Sequence, residues 1–290
     1  MNEITLNNIK NDNLKTVMIG IPNTTASYSM DFAHSIFLAQ MGPANILNMS
    51  QKYGVRFYPH VEGSFPIDAN RNKMCDMAIN GIPVAVGSSQ ELIKPDYLIM
   101  FDADMTFPEC TLDLMLENLI VKKYEVVSGL YFMKKEPFQP VMGRYCEPTN
   151  TMYKPIYFWD KGTTFDVDVI GMGCFGCDVN IFKRMEKPFF EYTSNPVYGS
   201  GIYKDVSEDM QFCHKAKEAG IKIKLDTRIS CGHITKMIVG EKMFTHRRDT
   251  KVTQLQGQDK EVFWEKIYDI RGGKEVAPVI PCENKKDWVK

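Results

Sequence analysis

The sequence lacks the segments that would tie a protein to a membrane or direct it to secretion. None of its apolar runs approaches the roughly 18 residues that a membrane-spanning helix needs. The stretch from Met1 to Lys15 is polar and rich in asparagine, unlike a signal peptide or an anchor. In the absence of a secretory segment, the eight cysteines are expected to be free thiols in a reducing compartment. These features predict a soluble, cytoplasmic protein with no integral membrane segment.

Two common phosphate-binding loops are also missing. No G-x-G-x-x-G follows the first predicted strand, and no Walker lysine loop occurs anywhere, which argues against dinucleotide-binding and P-loop proteins. The net charge of −1 provides no electrostatic footprint for tight nonspecific binding of nucleic acid. One basic cluster lies near the end of the chain and is a solvated face, a contact to nucleic acid or a contact to a diphosphate; it comprises Lys242, His246, Arg247, Arg248 and Lys251.

What is present is a regular alternation of strand and helix patterns over the first half of the 290 residues. Strands are predicted at 16–21, 55–61, 97–101 and 125–133, and helices at 29–52, from Asp68 onward and at 108–122. The segment from Gly81 to Pro95 is predicted to be a loop. This alternation predicts an α/β protein, a three-layer sandwich with a mostly parallel central sheet.

Two carboxylates follow the most apolar of these strands. Tyr97 to Phe101 reads as a strand buried on both faces, and Asp102 and Asp104 come directly after it. Ligands of open α/β sheets bind outside the carboxyl ends of the strands, and alternate residues point the same way. The two acids are therefore either ligands of Mg²⁺ or Mn²⁺ or simply solvated acids at a strand end.

The second half of the chain contains three further signals. A predicted strand from Val167 to Cys174 runs into the glycines Gly171 and Gly173, where backbone and ligand can approach closely. Ser207 is a plausible N-cap of a helix that begins with Glu208 and Asp209.

The third signal is His233, which follows a predicted strand from Ile221 to Leu225. Taken singly, an acidic helix start is often a capping device and a histidine is often a packed core residue. Taken together with Asp102 and Asp104, they favour a divalent ion that neutralises a diphosphate leaving group, with Asp209 as general base.

In this order the segments resemble nucleotide-sugar-dependent glycosyltransferases of the GT-A fold, close to the inverting family two and including viral types. The resemblance covers Thr16 to about Lys236. Four segments carry it: Ile21-Pro22-Asn23-Thr24, Ala69-Asn70-Arg71-Asn72, Asp102-Ala103-Asp104, and Ser207-Glu208-Asp209 followed by His233.

The resemblance implies a role for each matched residue. Asp104 and His233 would bind Mn²⁺ or Mg²⁺, and Asp102 would face the ribose or the metal. Asp209 would be the catalytic base, with Glu208 beside it. Contacts to the nucleotide, the diphosphate, the donor sugar or the acceptor are implied for Pro22, Asn23, Thr24, Arg71, Gly171, Gly173 and Lys236.

The resemblance also implies the reaction partners. The donor would be a nucleoside-diphosphate sugar, with a UDP-sugar expected, and the acceptor a glycan, a small molecule or a modified nucleic-acid base. The GT-A domain would span residues 1–240, with a nucleotide-binding half at about 16–133 and an acceptor half at about 134–240. Residues 241–290 would form a helical extension, with an amphipathic helix near Asp259 to Ile270, and a tail.

Some features depart from the family pattern or leave alternatives open. The first loop lacks the usual P-x-Y/F-N, and the absence of Q-x-x-R-W argues against a processive polysaccharide synthase. A nucleotidylyltransferase would need an early glycine-rich basic loop, which Pro22 to Ser29 does not provide.

Three alternatives remain at this level. The chain could be a non-catalytic binding module of the same fold. Cys174, Cys177, Cys231 and His233 could hold a structural zinc ion. The aromatic residues of 139–160 could stack on ligands or pack in a strand-rich lobe; they are Tyr145, Tyr153, Tyr157, Phe158 and Trp159.

Overall fold

The structure is a computed structural model that describes residues 14–23, 30–63, 66–86, 89–135, 138–145, 153–196, 203–235, 238–239, 241 and 268–269. Within these ranges the first half of the chain alternates strands and helices as predicted. Its strands, β1 to β7, are Lys15–Pro22, Val55–Glu62, Ile82–Val86, Ser89–Ile93, Tyr97–Phe101, Met105–Thr106 and Val126–Leu130. Its helices, α1 to α4, are Met30–Ala33, Pro43–Tyr53, Ile67–Asn80 and Thr111–Leu116, of which α1 and α4 continue as π-helical turns at His34–Gln40 and Glu117–Val121.

The second half is richer in strands. Strands β8 to β18 are Met142–Tyr145, Tyr153–Phe158, Thr164–Val167, Val169–Ile170, Cys174–Asp178, Thr193–Pro196, Tyr203–Val206, Ile223–Ser230, Gly232–Ile234, Ile238–Val239 and Tyr268–Asp269. A 3-10 turn spans Val179–Lys183, and helix α5 spans Glu208–Glu218.

A central sheet of seven strands organises the molecule, in the order β10-β15-β7-β12-β5-β1-β2. Strands β1, β2, β5, β7 and β15 run in one direction, whereas β10 and β12 run in the other. The edge strands are β10 and β2, and β2 carries Pro59 in its middle. The predicted mostly parallel α/β sheet is therefore confirmed.

Helices cover both faces of this sheet, because alternate residues of the buried strands face opposite sides. On one face Leu98 and Met100 of β5 share a core with α3 and α5. On the other face Ile99 and Phe101 share a core with α4 and with Phe32 of α1. Gly20 in β1 allows the close approach of α3, since a Cβ there would lie 2.6 Å from the sulfur of Met74.

Several predicted boundaries are wrong. The segment Gly81 to Pro95 is not a loop: β3 and β4 form an antiparallel hairpin, in which Pro83 is tolerated because an isolated ribbon does not need every N–H. The strand predicted over Val167 to Cys174 is divided, since β10 pairs with β15, β11 with β8, and β12 with β5 and β7. The glycines between β11 and β12 let the chain pass from one sheet to the other.

Other boundaries shift by a few residues. The helix predicted at 108–122 begins at Thr111, whose hydroxyl donates to the carbonyl of Pro108. The strand predicted over Ile221 to Leu225 runs from 223 to 230. Of the helix predicted near Asp259 to Ile270, only 268–269 are described, and they form β18 beside β9. Among the described residues, no helix has the length and apolar character needed to cross a bilayer.

Candidate functional site

The carboxyl ends of the parallel strands bring the predicted site residues to one edge of the sheet. Asp102 and Asp104 follow β5 at this edge, and the first residues of α3 lie there because α3 returns between parallel strands β2 and β5. Strand β16 pairs with β6 so that His233 stands opposite Met105, and the N–H of Ile234 donates to the carbonyl of Asp104 at 2.7 Å. Residues distant in sequence thus converge as predicted.

A buried arginine stands at the centre of the acids. The terminal nitrogens of Arg71 donate to both oxygens of Asp102, at 3.0 and 2.9 Å, and to one oxygen each of Glu208 and Asp209, at 2.5 Å. Only 3% of the Arg71 side chain is exposed. This guanidinium therefore joins the start of α3, the end of β5 and the start of α5.

The pKa values of Arg71, Asp102 and Asp209 are shifted by their burial and by their proximity to one another. Burial raises the pKa of Asp209 to about 7; Arg71 opposes this shift, and Glu208 and Asp102 add to it. Burial also raises the pKa of Asp102, against the influence of Arg71. Burial alone would lower the pKa of Arg71, but the carboxylates, Asp102 foremost, raise it above its usual value. Asp209 is thus a carboxyl group that can exchange a proton near neutral pH.

The glycine segment between β11 and β12 lies against these acids. The N–H of Met172 donates to Asp209 Oδ2 at 3.3 Å, and the N–H of Asp102 donates to the carbonyl of Gly173 at 3.1 Å. A Cβ on Gly171 would lie 1.8 Å from the hydroxyl oxygen of Tyr131, which accepts a hydrogen bond from the N–H of Gly173 at 3.2 Å. The glycines are needed to accommodate Tyr131, a packing reason beside the predicted role of facing ligand.

Asp104 and His233 form a second group at the same edge. The Nε2 atom of His233 lies 3.7 Å from Asp104 Oδ1, and the ammonium of Lys134 contacts Asp104 Oδ2. Burial alone would raise the pKa of Asp104, but its interactions with His233 and Lys134 lower it to about 2. Asp104 is therefore ionised under ordinary conditions, as a metal ligand must be.

The geometry of His233 suits a metal ligand. Its Nδ1 lies 2.8 Å from the carbonyl oxygen of Phe132, which can only accept, so Nδ1 carries the proton. In the neutral ring the lone pair is then on Nε2, which faces Asp104. Metal-binding histidines are oriented by a backbone carbonyl in the same way. Two adjacent ligands at about 2.1 Å from an octahedral ion lie roughly 3 Å apart, so His233 Nε2 and Asp104 Oδ1, 3.7 Å apart, would have to approach each other slightly to share one ion.

The predicted set of three metal ligands is not assembled. Asp102 gives both oxygens to Arg71 instead of turning toward Asp104 and His233. Among the described residues, no group of three or more His, Cys, Asp or Glu side chains is arranged to hold a metal ion. The same observation argues against the zinc alternative, since Cys174 and Cys177 pack in the two cores on opposite faces of the sheet. Asp104 and His233 remain as a two-residue group, and an ion held there would need water or phosphate oxygens to complete its coordination.

The remaining predicted residues vary in how the structure places them. Pro22 ends β1, and buried Asn23 donates its N–H to the carbonyl of Glu62 at 2.8 Å. Thr24 and Lys236 lie outside the described residues. Of the aromatic segment, Tyr153, Tyr157 and Trp159 pack against the core, as the packing alternative holds.

Lys134 and Asn70 are two residues that sequence reasoning missed. The side chain of Asn70 is fully buried, and neither its amide nitrogen nor its amide oxygen has a hydrogen-bond partner among the described residues. Asn70 lies one turn before Met74, which covers Gly20, so it faces the carboxyl end of β1. An unpaired buried amide calls for a water molecule or a polar ligand group. The A-x-R-N resemblance could have drawn attention to Asn70, but no sequence signal singled out Lys134.

Comparisons with known proteins leave the family open. No protein-family model matches the sequence, and no curated protein matches it. A solved structure, A197 from STIV, aligns with 77% of this chain and 86% of its own length at 14% identity and a TM-score of 0.44. The crystal structure of GalNAc-T7 with UDP, GalNAc and Mn²⁺ aligns with 82% of this chain at 12% identity and a TM-score of 0.45, and the match spans 48% of that protein. Neither similarity assigns a role to any residue.

Proposed function

We propose that this protein is a metal-dependent glycosyltransferase of the GT-A type, which moves a sugar from a nucleoside-diphosphate sugar to an acceptor hydroxyl with inversion. The observation that supports it most is the convergence, at one sheet edge, of the Asp104–His233 pair with the partly buried acid Asp209. The first can hold a divalent ion, and the second can exchange a proton near neutral pH.

The donor side of the reaction would depend on Asp104 and His233. These residues would hold Mn²⁺ or Mg²⁺, which when bound would neutralise the charge on the departing diphosphate. Pro22 and Asn23 at the end of β1 would contact the nucleoside, for which a uridine nucleotide is expected, with Asp102 toward the ribose. Thr24 and Lys236 keep their predicted contacts as part of the proposal, as do Gly171 and Gly173.

The acceptor side would depend on Asp209. Its carboxylate would take the proton of the acceptor hydroxyl while the acceptor oxygen bonds to the anomeric carbon. The bond from that carbon to the diphosphate oxygen breaks, and its electron pair leaves with the nucleoside diphosphate. Arg71 and the N–H of Met172 hold the Asp209 carboxylate in place, and Glu208 shares Arg71 with it.

Arg71 has a different task in this proposal from the one that the resemblance implies. Its guanidinium is committed to Asp102, Glu208 and Asp209 and is almost fully buried. A direct contact to the diphosphate would require it to leave these partners. We therefore assign it the positioning of the acids and keep the nucleotide contact as a prediction.

The wider context belongs to the same proposal. Residues 1–240 would be the catalytic domain, residues 241–290 an extension, and the protein would act in the cytoplasm. The acceptor would be a glycan, a small molecule or a modified nucleic-acid base.

The proposal can be tested with a panel of nucleotide sugars in the presence of Mn²⁺. A ligand that binds the native state raises the melting temperature and so identifies the donor. With that donor, we expect Asp104→Ala to abolish transfer and weaken Mn²⁺-dependent donor binding, whereas Asp209→Asn abolishes transfer and retains donor binding. Asp166→Ala, which removes an exposed acid of β10, is the matched control and should change neither. Equal donor binding by wild type and Asp104→Ala would contradict the metal assignment.

One observation favours a second candidate, a non-catalytic module that binds sugar nucleotides. Both oxygens of Asp209 are engaged, one by Arg71 and the other by Met172. Slow hydrolysis of the bound donor by the wild type, absent in Asp209→Asn, would favour the enzyme. Donor binding without hydrolysis or transfer would favour the binding module.

A further inference from the structure

Lys134 lies on a hydrogen-bonded turn that also orients His233. The N–H of Met133 donates to the carbonyl of Gln139, and that of Val141 donates to the carbonyl of Tyr131, both at 2.9 Å. The carbonyl of Phe132, on the same turn, holds His233. The backbone of Lys134 is therefore fixed relative to the Asp104–His233 pair.

The ammonium of Lys134 is the counterion of Asp104. It contacts one carboxylate oxygen while His233 faces the other. The pair is only half-buried, with 37% of the Lys134 side chain and 47% of the Asp104 side chain exposed. Such ion pairs contribute little to stability, so the ammonium can exchange Asp104 for another anion at little cost.

We propose that Lys134 is an exchangeable counterion: it neutralises Asp104 in the free protein and, when a divalent ion replaces it there, binds the diphosphate of the donor. This inference rests on the proposed function, which supplies the ion and the diphosphate. An ammonium on a flexible stem suits both positions, because it binds carboxylate and phosphate alike as a compact point charge. The ion and the ammonium would then both neutralise charge on the leaving group.

Replacing Lys134 with an uncharged residue should change the affinities for Mn²⁺ and for UDP in opposite directions. In Lys134→Met, Asp104 no longer has a competing cation, so we expect the Kd for Mn²⁺ alone to fall about threefold, the effect expected from losing a half-exposed ion pair. The diphosphate loses a charged hydrogen bond, so we expect the Kd for UDP at saturating Mn²⁺ to rise about tenfold. A side chain that merely supports the local structure would weaken both ligands together.

The experiment uses the full chain and isothermal titration with Mn²⁺ alone and with UDP in Mn²⁺. Lys135→Met, the exposed neighbour on the same turn, is the matched control and should change neither Kd. Lys134→Arg keeps the charge and should bind UDP nearly as wild type does. An unchanged or weaker Mn²⁺ affinity in Lys134→Met overturns the proposal, as does an unchanged UDP affinity.

His233→Ala separates this inference from the proposed function. If His233→Ala binds Mn²⁺ as tightly as wild type does, the metal site itself is wrong and both proposals fall. If His233→Ala loses Mn²⁺ but Lys134→Met leaves both affinities unchanged, the metal site stands and only the role of Lys134 is overturned.

Discussion

Asp209 shares the guanidinium of Arg71 with two other carboxylates, and these neighbours affect the pKa of Asp209. Burial raises its folded-state pKa to about 7, compared with about 4 in an unfolded chain. A carboxyl group with a raised folded pKa contributes stability that is fully present below about pH 4 and is lost as the pH rises to about 7. The residue that we propose as the catalytic base thus destabilises the folded state near neutral pH.

We therefore predict that Asp209→Asn gains stability relative to wild type as the pH rises. The difference in free energy of unfolding between Asp209→Asn and wild type should increase between pH 4 and pH 7 and then level off. Urea unfolding at pH 5 and pH 8 measures it.

Asp113→Asn is the control, because burial alone would raise the folded-state pKa of Asp113 but hydrogen bonds from Lys52 and Tyr53 lower it. The contribution of Asp113 is present above about pH 4 and is lost only at lower pH, so the difference between Asp113→Asn and wild type should not change between pH 5 and pH 8. A pH-independent difference for Asp209→Asn would contradict the raised pKa.

For single residues, the sequence predicts which side chains lie close together better than it predicts their hydrogen-bond partners. The order of strand ends is enough to bring Asp104 and His233 to one edge of the sheet. Asp102 binds Arg71 instead of joining Asp104 and His233 because the guanidinium of Arg71 is buried beside it. The spacing of residues in the sequence does not reveal this burial. Lys134 was missed for a similar reason, since its position follows from the turn after β7.

Among the elements, the segment that joins β11 to β12 contacts both the side chain of Tyr131 and the carboxylate of Asp209. Its glycines fit around the side chain of Tyr131, and its middle residue donates to Asp209. A side chain at Gly171 would need the space that the Tyr131 hydroxyl occupies. The side chain of Tyr131 therefore restricts the conformation of this segment.

We predict that Gly171→Ala destabilises the protein by about 1–3 kcal/mol, the usual cost of overpacking. Tyr131→Phe removes the atom in closest conflict, so the cost of Gly171→Ala should be smaller in that background. A double-mutant cycle by urea unfolding of the four proteins measures the coupling. Additive effects of the two substitutions would show that Tyr131 is not what excludes a side chain at 171.

Element prediction succeeded where apolar periodicity was strong and failed where pairing is decided by distant strands. The buried run of β5 and the amphipathic pattern of α4 are visible locally. The division of 167–174 among three pairings is not, because each partner, β15, β8 or β5, lies elsewhere in the chain. The β3–β4 hairpin was not predicted because Pro83 interrupts its strand pattern, although an isolated ribbon tolerates a proline.

For the molecule as a whole, the ion pairs of Arg71 connect the first half of the chain to the second. It belongs to α3 in the first half, and two of its three acids begin α5 in the second half. Removing one partner of a buried ionic group leaves uncompensated charge, which is far more costly than the loss of a surface pair.

We predict that Arg71→Met loses about 3–5 kcal/mol of unfolding free energy at pH 8. The loss should be smaller at pH 5, where the acids left without a counterion can take up protons. Chemical unfolding at both pH values measures the effect.

Arg184→Met is the matched control, since Arg184 forms an exposed ion pair with Glu125 and should lose at most about 1 kcal/mol. A loss of the same size in Arg71→Met would mean that the three acids do not depend on Arg71.

The overall architecture was predictable because alternating strands and helices return each strand to the same direction. The antiparallel strand β12 in the middle of the sheet could not be predicted. The chain reaches it only after it has formed β8, β9 and β11, which belong to a second sheet.

The two borders of the central sheet have a consequence for how the protein behaves at high concentration. At one border Pro59 cannot donate a main-chain hydrogen bond, and at the other β10 is only four residues long. Both features weaken the borders of the central sheet as templates on which the backbone of another molecule could add a strand, which is how many proteins limit edge-to-edge aggregation.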